Sequence, residues 1–148
     1  MNSRGLVNEM YMFPRTIYMS FHIDTNRINA RGSLDDMNLL ENWASNDVIT
    51  IDMSIVAYNE ARKGNNRKRT EKAMEHIYTH THATTPEERA KLVAIQGIVF
   101  PDGIRDDNQS NDVEIVFNAD KYGSILITND GGSKSQPGWI LVLRQNSS

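Results

Sequence analysis

At 148 residues, 39% hydrophobic and 24% charged, the chain has the balance of an ordinary globular protein and enough length for one domain with a sizeable core. No apolar run approaches the roughly 18 residues of a membrane span. The N-terminal residues show no apolar core of a secretory signal, and there is no cysteine, which excludes thiolate-held zinc and suits a reducing cytoplasm.

The net charge of −3 is unevenly distributed. Arg62, Lys63, Arg67, Lys68, Arg69 and Lys72 face a single nearby acid, Glu71, whereas Asp102, Asp106, Asp107, Asp112, Glu114 and Asp120 face only Arg105. Such runs are commonly plain solvated faces. A basic arm beside an acidic pocket also suits a metal enzyme that grips a polyanion.

In chain order, residues 1–15 form an irregular lead-in, with residues 16–148 as the domain proper. Ile17 to Asn26, I-Y-M-S-F-H-I-D-T-N, is apolar and β-favouring on both faces until Asp24, as in a strand inside a parallel sheet. Ser33 and Asp36 have the spacing of a capping pair, and Leu34, Met37, Leu40 and Ala44 recur at helical spacing. Asp47 to Ile51 suits a short strand. From Ser54 a helix carries Glu60 and ends near Lys63, before Gly64. The basic linker leads to a helix over Thr70 to Tyr78. Thr85-Pro86-Glu87-Glu88 is a strong helix start, with the helix running to Gln96. Ile98 to Phe100 suits a brief strand. Ser110 or Asn111 caps a helix over Asp112 to Tyr122, which Gly123 closes. Ser124 to Thr128 is a second buried strand that runs into Asp130, and Trp139 to Leu143 a last one. Alternating strands and helices predict an α/β fold with a mostly parallel sheet.

Asp24 and Asp130 both follow the C-terminal ends of strands, the edge where open α/β sheets take their ligands. Right-handed crossovers bring those ends to one side of the sheet, and a helix entering from that side places Asp112 there too. Crowded carboxylates repel unless a cation holds them, and hard oxygen donors suit Mg²⁺ or Mn²⁺.

On these residues the chain resembles the PIN-domain nucleases, the small VapC-toxin-like ribonucleases in particular. I-D-T-N is similar to the family's first motif and I-V-A-Y-N-E-A to its second acidic helix. The run N-D-V-E-I-V-F-N-A-D-K-Y-G-S-I-L-I-T-N-D is similar to its most specific segment. The resemblance implies a three-layer α/β/α sandwich and a metal-dependent endoribonuclease. Asp24 and Asp112 would hold Mg²⁺ or Mn²⁺ directly, and Glu60 and Asp130 directly or through water. Asn26 and Thr128 would act in support, with Arg62, Lys63, Arg67, Lys68 and Arg69 on RNA phosphates. Many small relatives are toxins neutralised by an antitoxin, so an antitoxin partner and a homodimer are expectations from the resemblance alone.

Other readings compete. A strand ending in Asp-Thr-Asn is also similar to haloacid-dehalogenase phosphatases, but these need a second Asp where Asn26 stands. Response-regulator receivers need paired acids and a late lysine that find no place here. A catalytically silent PIN-like module binding RNA or protein is the alternative from another class. His76, His80 and His82 read as surface histidines near a helix end, Trp43 and Trp139 as packing residues, and the seven methionines as core filler.

Overall fold

The apolar run ending at Asp24 becomes the central strand of a parallel sheet. The computed structural model describes residues 19–79 and 82–129; the lead-in, Asp130, His80 and the expected last strand lie outside them. Four strands, Met19–Ile23 (β1), Ile49–Ser54 (β2), Ile77–Thr79 (β3) and Ile125–Ile127 (β4), stand in the order β3-β2-β1-β4, all parallel. Five helices are interleaved among the described residues: Asp35–Ser45 (α1), Ile55–Lys63 (α2), Arg67–Met74 (α3), Pro86–Val99 (α4) and Asp107–Lys121 (α5). The expected α/β/α architecture is therefore the one observed.

Register divides the sheet into two unlike faces. Phe21 pairs with Ile51, and Ile23 with Ile127, while His22 pairs with Asp52 on one side and Leu126 on the other. Because side chains alternate, Phe21, Ile23, Ile51 and Met53 share one face, packed with Met37 and Leu40 of α1 and Ala57 and Ala61 of α2. On the other face Leu126 packs with Val99 of α4, Phe100 just after it, and Val113 and Phe117 of α5. That second face also carries a buried polar group. Asp52 receives Ser20 Oγ at 2.9 Å and pairs with His22 Nδ1, and Ser124 Oγ lies 3.1 Å from Ser20 Oγ. His22 Nε2 and Asn118 Oδ1 are buried without a hydrogen-bond partner among the described residues.

Several expected elements shift, each for a local reason. Ser33 does not cap α1. Its N-cap is Leu34, whose N–H donates instead to Asn29 Oδ1 at 3.1 Å. The expected helix over Thr70 to Tyr78 is α3 followed by β3: Asn66 accepts from Arg69 N and starts the helix earlier, and strand pairing with β2 overrides helical spacing from Ile77. Ile98 and Val99 belong to the last turn of α4, not to a strand, because the capping box at Thr85 and Glu88 starts a helix that burial of Ile95 and Val99 sustains. Helix α5 begins at Asp107 under an Asp106 cap, not at Asp112 under Ser110 or Asn111, so Asp112 stands in its second turn. Gly123 closes α5 at φ +63°, as a C-terminal glycine should.

Four side chains depart from their expected surroundings. His76 is buried (8% exposed) rather than on the surface, and burial pushes its imidazole below the ordinary range against the pull of Glu41 and Glu75. Trp43 is 40% exposed rather than packed. Met37 and Met53 do fill the core, whereas Met19 and Met74 are exposed.

Candidate active site at the sheet edge

The strand order has one reversal. From β1 the chain steps through β2 to β3 on one side, then returns to lay β4 on the other side of β1. Open α/β sheets take ligands at such a switch point, outside the C-terminal ends of the strands. Asp24 follows β1 and Thr128 follows β4 there.

Asp24 is buried and densely hydrogen-bonded. Its backbone N–H donates to Ile127 O at 3.0 Å, continuing the β1–β4 ladder by one residue. Its Oδ1 accepts from Thr25 N at 2.5 Å, which starts a single 3-10 turn, Thr25–Arg27. Its Oδ2 accepts from Asn26 Nδ2 and Thr128 Oγ1, both at 2.8 Å. Asn26 does more than turn chemistry, since its Oδ1 accepts from Asn129 N at 3.0 Å and so ties the turn to the chain leaving β4.

Glu60 faces the same edge. Ser54, buried, caps α2 by accepting from Ala57 N at 3.1 Å. This fixes the helix so that Glu60, six residues on, points toward the turn after β1 rather than into solvent. Its Oε2 accepts from Thr25 Oγ1 at 2.7 Å and its Oε1 from Asn111 Nδ2 at 2.6 Å. Glu60 thereby links the residue after Asp24 to the residue before Asp112. Asp112 itself is half-buried on α5.

Three of the four expected acids thus sit on elements that meet at this edge, and the fourth, Asp130, lies outside the described residues. Among the described residues no three acids, histidines or cysteines are grouped closely enough to hold a metal ion together. The donors are all carboxylate, amide or hydroxyl oxygens, the chemistry Mg²⁺ and Mn²⁺ take. Glu60 still carries lone pairs beyond those its two neutral donors occupy.

The basic residues separate into two groups. Arg62, stacked over the Tyr58 ring at 5.5 Å, and Lys63, Arg67 and Lys68 are exposed, with Arg67 paired to Glu71 at 2.7 Å. Arg69 is half-buried, and its Nη2 donates to Thr25 O at 2.8 Å, beside Asp24. Sequence reasoning missed Thr25 and Asn111. Each stands next to an acid that was singled out, but an uncharged neighbour shows its role only once the partner helix is placed.

No protein-family model matches the chain, and no curated protein does. Among solved structures it is similar to a chain of the crystal structure of VapBC2 from Rickettsia felis bound to a DNA fragment from their promoter. The match has 18% identity and a TM-score of 0.52, and covers 81% of this chain and 95% of that one. At that identity the likeness establishes the fold.

Proposed function

We propose that the protein is a metal-dependent endoribonuclease of the PIN type, hydrolysing RNA phosphodiesters with Mg²⁺ or Mn²⁺ at Asp24, Glu60, Asp112 and Asp130. One observation carries the reading. At the switch point Asp24 is held by three donors, and a second acid, Glu60, is turned inward to meet the residue beside it. Such a carboxylate edge at the ligand side of a parallel sheet suits hydrolysis at a polyanion. A bound cation would polarise the phosphate and lower the pKa of an attacking water. The chain's own residues do the rest. Asn26 and Thr128 orient Asp24, Thr25 ties Glu60 to the same turn, and Arg69 sets a positive charge beside the pocket for a phosphate oxygen. Arg62, Lys63, Arg67 and Lys68 form an outer ring of charge for capture.

The structural neighbour comes from a toxin–antitoxin complex, and we extend that arrangement to this chain: a toxin whose activity an antitoxin protein restrains, with a homodimer as the working form. No helix among the described residues is long and apolar enough to cross a membrane, and cytoplasmic RNA is the proposed target.

A silent PIN-like binding module is the second reading, favoured by the absence of a three-acid group among the described residues. One assay separates the two. The purified protein should cut single-stranded or looped RNA with Mg²⁺ or Mn²⁺, lose activity in EDTA, and lose it in Asp24→Asn. Cleavage that survives EDTA or the substitution refutes a metal-dependent nuclease at these acids, and tight RNA binding without cleavage under any metal favours the module.

A further inference from the structure

A second polar cluster gathers residues of α1, of α3 and of the turn that leads into β3. Helix α3 closes with Glu75 N donating to Lys72 O at 3.2 Å and His76 N to Ala73 O at 3.3 Å, and Ile77 then enters β3. His76 is carried inward, and its Nε2 is buried without a hydrogen-bond partner among the described residues. Glu41 of α1 is in the same state at one oxygen. Its Oε1 is buried without a partner, while Oε2 pairs with Lys72 Nζ at 3.2 Å. Lys72 also pairs with Glu75, at 2.8 Å. Burial disfavours a charge on the His76 ring most strongly; Glu41 favours one, Lys72 opposes it and Glu75 favours it. Other charged groups on the neighbouring elements are engaged elsewhere: Asp52 of β2 with Ser20 and His22, and on α2 Glu60 with Thr25 and Asn111 and Arg62 over Tyr58, with Lys63 exposed.

With His76 neutral, two carboxylates face one ammonium, and one carboxylate oxygen has no donor. A carboxylate only accepts, so Oε1 and Nε2 become complementary when Nε2 carries a proton, and imidazolium carries one on each nitrogen. We propose that His76 and Glu41 form an acid-operated switch: on proton uptake His76 Nε2–H donates to Glu41 Oε1, and Lys72, repelled by the new cation, leaves Glu41 for Glu75 alone. The tie between α1 and α3 is then exchanged for one between α1 and the start of β3. The effect reaches the sheet edge. Arg69 stands three residues before Lys72 on α3, on the same side of the helix, and its Nη2 donates to Thr25 O at 2.8 Å. Release of Lys72 frees α3 from α1 and loosens that bond. Linkage fixes the direction. Burial disfavours the imidazolium in the arrangement described, so proton uptake favours the rearranged one; the switch is off above about pH 6.5 and operates as pH falls below it. The device goes beyond the nuclease reading and needs neither cation nor RNA.

The test is an NMR titration of the isotope-labelled full chain from about pH 8 to about pH 5, the range in which histidine changes charge. It follows the ring nitrogens of His76, the Lys72 ammonium and the Arg69 guanidinium. In the wild type all three should move with one midpoint, the His76 Nε2 proton becoming hydrogen-bonded and the Arg69 guanidinium protons losing protection below it. Glu41→Gln should lower the His76 midpoint and abolish the Arg69 response. Lys72→Met removes the competing cation and should raise the midpoint. His76→Gln should leave Lys72 and Arg69 unresponsive throughout. A His76 ring that titrates while Lys72 and Arg69 stay unmoved is a buried histidine and nothing more, which overturns the switch. So does an Arg69 response that persists in His76→Gln, or a midpoint indifferent to Glu41→Gln. If either of those variants fails to fold, the other still decides. No readout involves RNA, so the switch stands or falls apart from the nuclease reading.

Discussion

Replacing Asp52 by leucine tests the polar group beneath the sheet. His22 is 1% exposed and Asp52 9%, and they stand opposite each other on β1 and β2. In Asp52→Leu the ring N–H of His22 and the hydroxyl of Ser20 lose their acceptor, while His22 Nε2 already has no partner among the described residues. Leaving a buried polar group unsatisfied costs about 1–3 kcal/mol, and breaking a buried pair by removing one member costs about 3–5 kcal/mol. Together these figures place Asp52→Leu at about 2–5 kcal/mol, a large part of the roughly 5–15 kcal/mol that holds a domain folded. At this chain length that is about 10 °C in Tm. The double variant His22→Leu/Asp52→Leu removes both partners, leaving Ser20 with Ser124, and should recover most of the loss. Urea melts followed by circular dichroism on the wild type, both singles and the double close the cycle. An Asp52→Leu loss under about 1 kcal/mol, or a double variant as unstable as the two singles combined, would refute the reasoning.

Burial lowers the folded-state pKa of His76 below its unfolded value, so the unfolded chain takes up the proton first. Stability should therefore be full above about pH 6.5 and fall as pH drops through it, by at most about 1.4 kcal/mol per pH unit, and His76→Leu melts should show a flatter acid limb. Gly123→Ala should cost about 1 kcal/mol in thermal melts, since φ is +63° while no atom lies within 4 Å of an added Cβ; a neutral result would mean that the turn relaxes. Arg67→Ala/Lys68→Ala should weaken RNA binding and flatten its salt dependence by up to about two phosphate contacts while sparing kcat. Arg69→Ala should lower kcat as well, because its guanidinium anchors Thr25 O; equal effects from both would undo the division of roles.

The fold was legible where a single signal was strong. The run into Asp24, the Thr85–Glu88 capping box and Gly123 each announced their element, and parallel pairing followed from strand–helix alternation. Signals that compete were misread. Asn111 is a good N-cap residue by type, but Asp106 lies one turn earlier and captures the start of α5. Ile77 to Thr79 continues a helical spacing, yet β2 offers a strand edge that only the assembled sheet reveals. The polarity of the second face, with His22 opposite Asp52, was invisible for the same reason: two residues far apart in the chain become neighbours only through register. At the candidate site the acids were legible as charges. Asn26 and Thr128, which hold Asp24, were named through the family resemblance; the holders of Glu60 were not, because Thr25 and Asn111 have no chemistry of their own until Glu60 is placed between them.

That difference alters what the acids mean. From the sequence, clustered carboxylates imply a cation, since without one they repel. The structure supplies another source of compensation: Asp24 accepts from a backbone amide, a side-chain amide and a hydroxyl, and Glu60 from a hydroxyl and an amide. Each charge is stabilised locally before any cation arrives, so the fold does not need one to tolerate its acids. A count of carboxylates therefore carries less functional weight than the aim of the donors. Those donors come from the turn after β1, from the end of β4 and from α5, three elements that share no edge except at the switch point. A cap for one turn would have needed a single donor from the chain nearby. Holding two acids from separate elements, each oxygen assigned, is the preorganisation that chemistry at a fixed point requires.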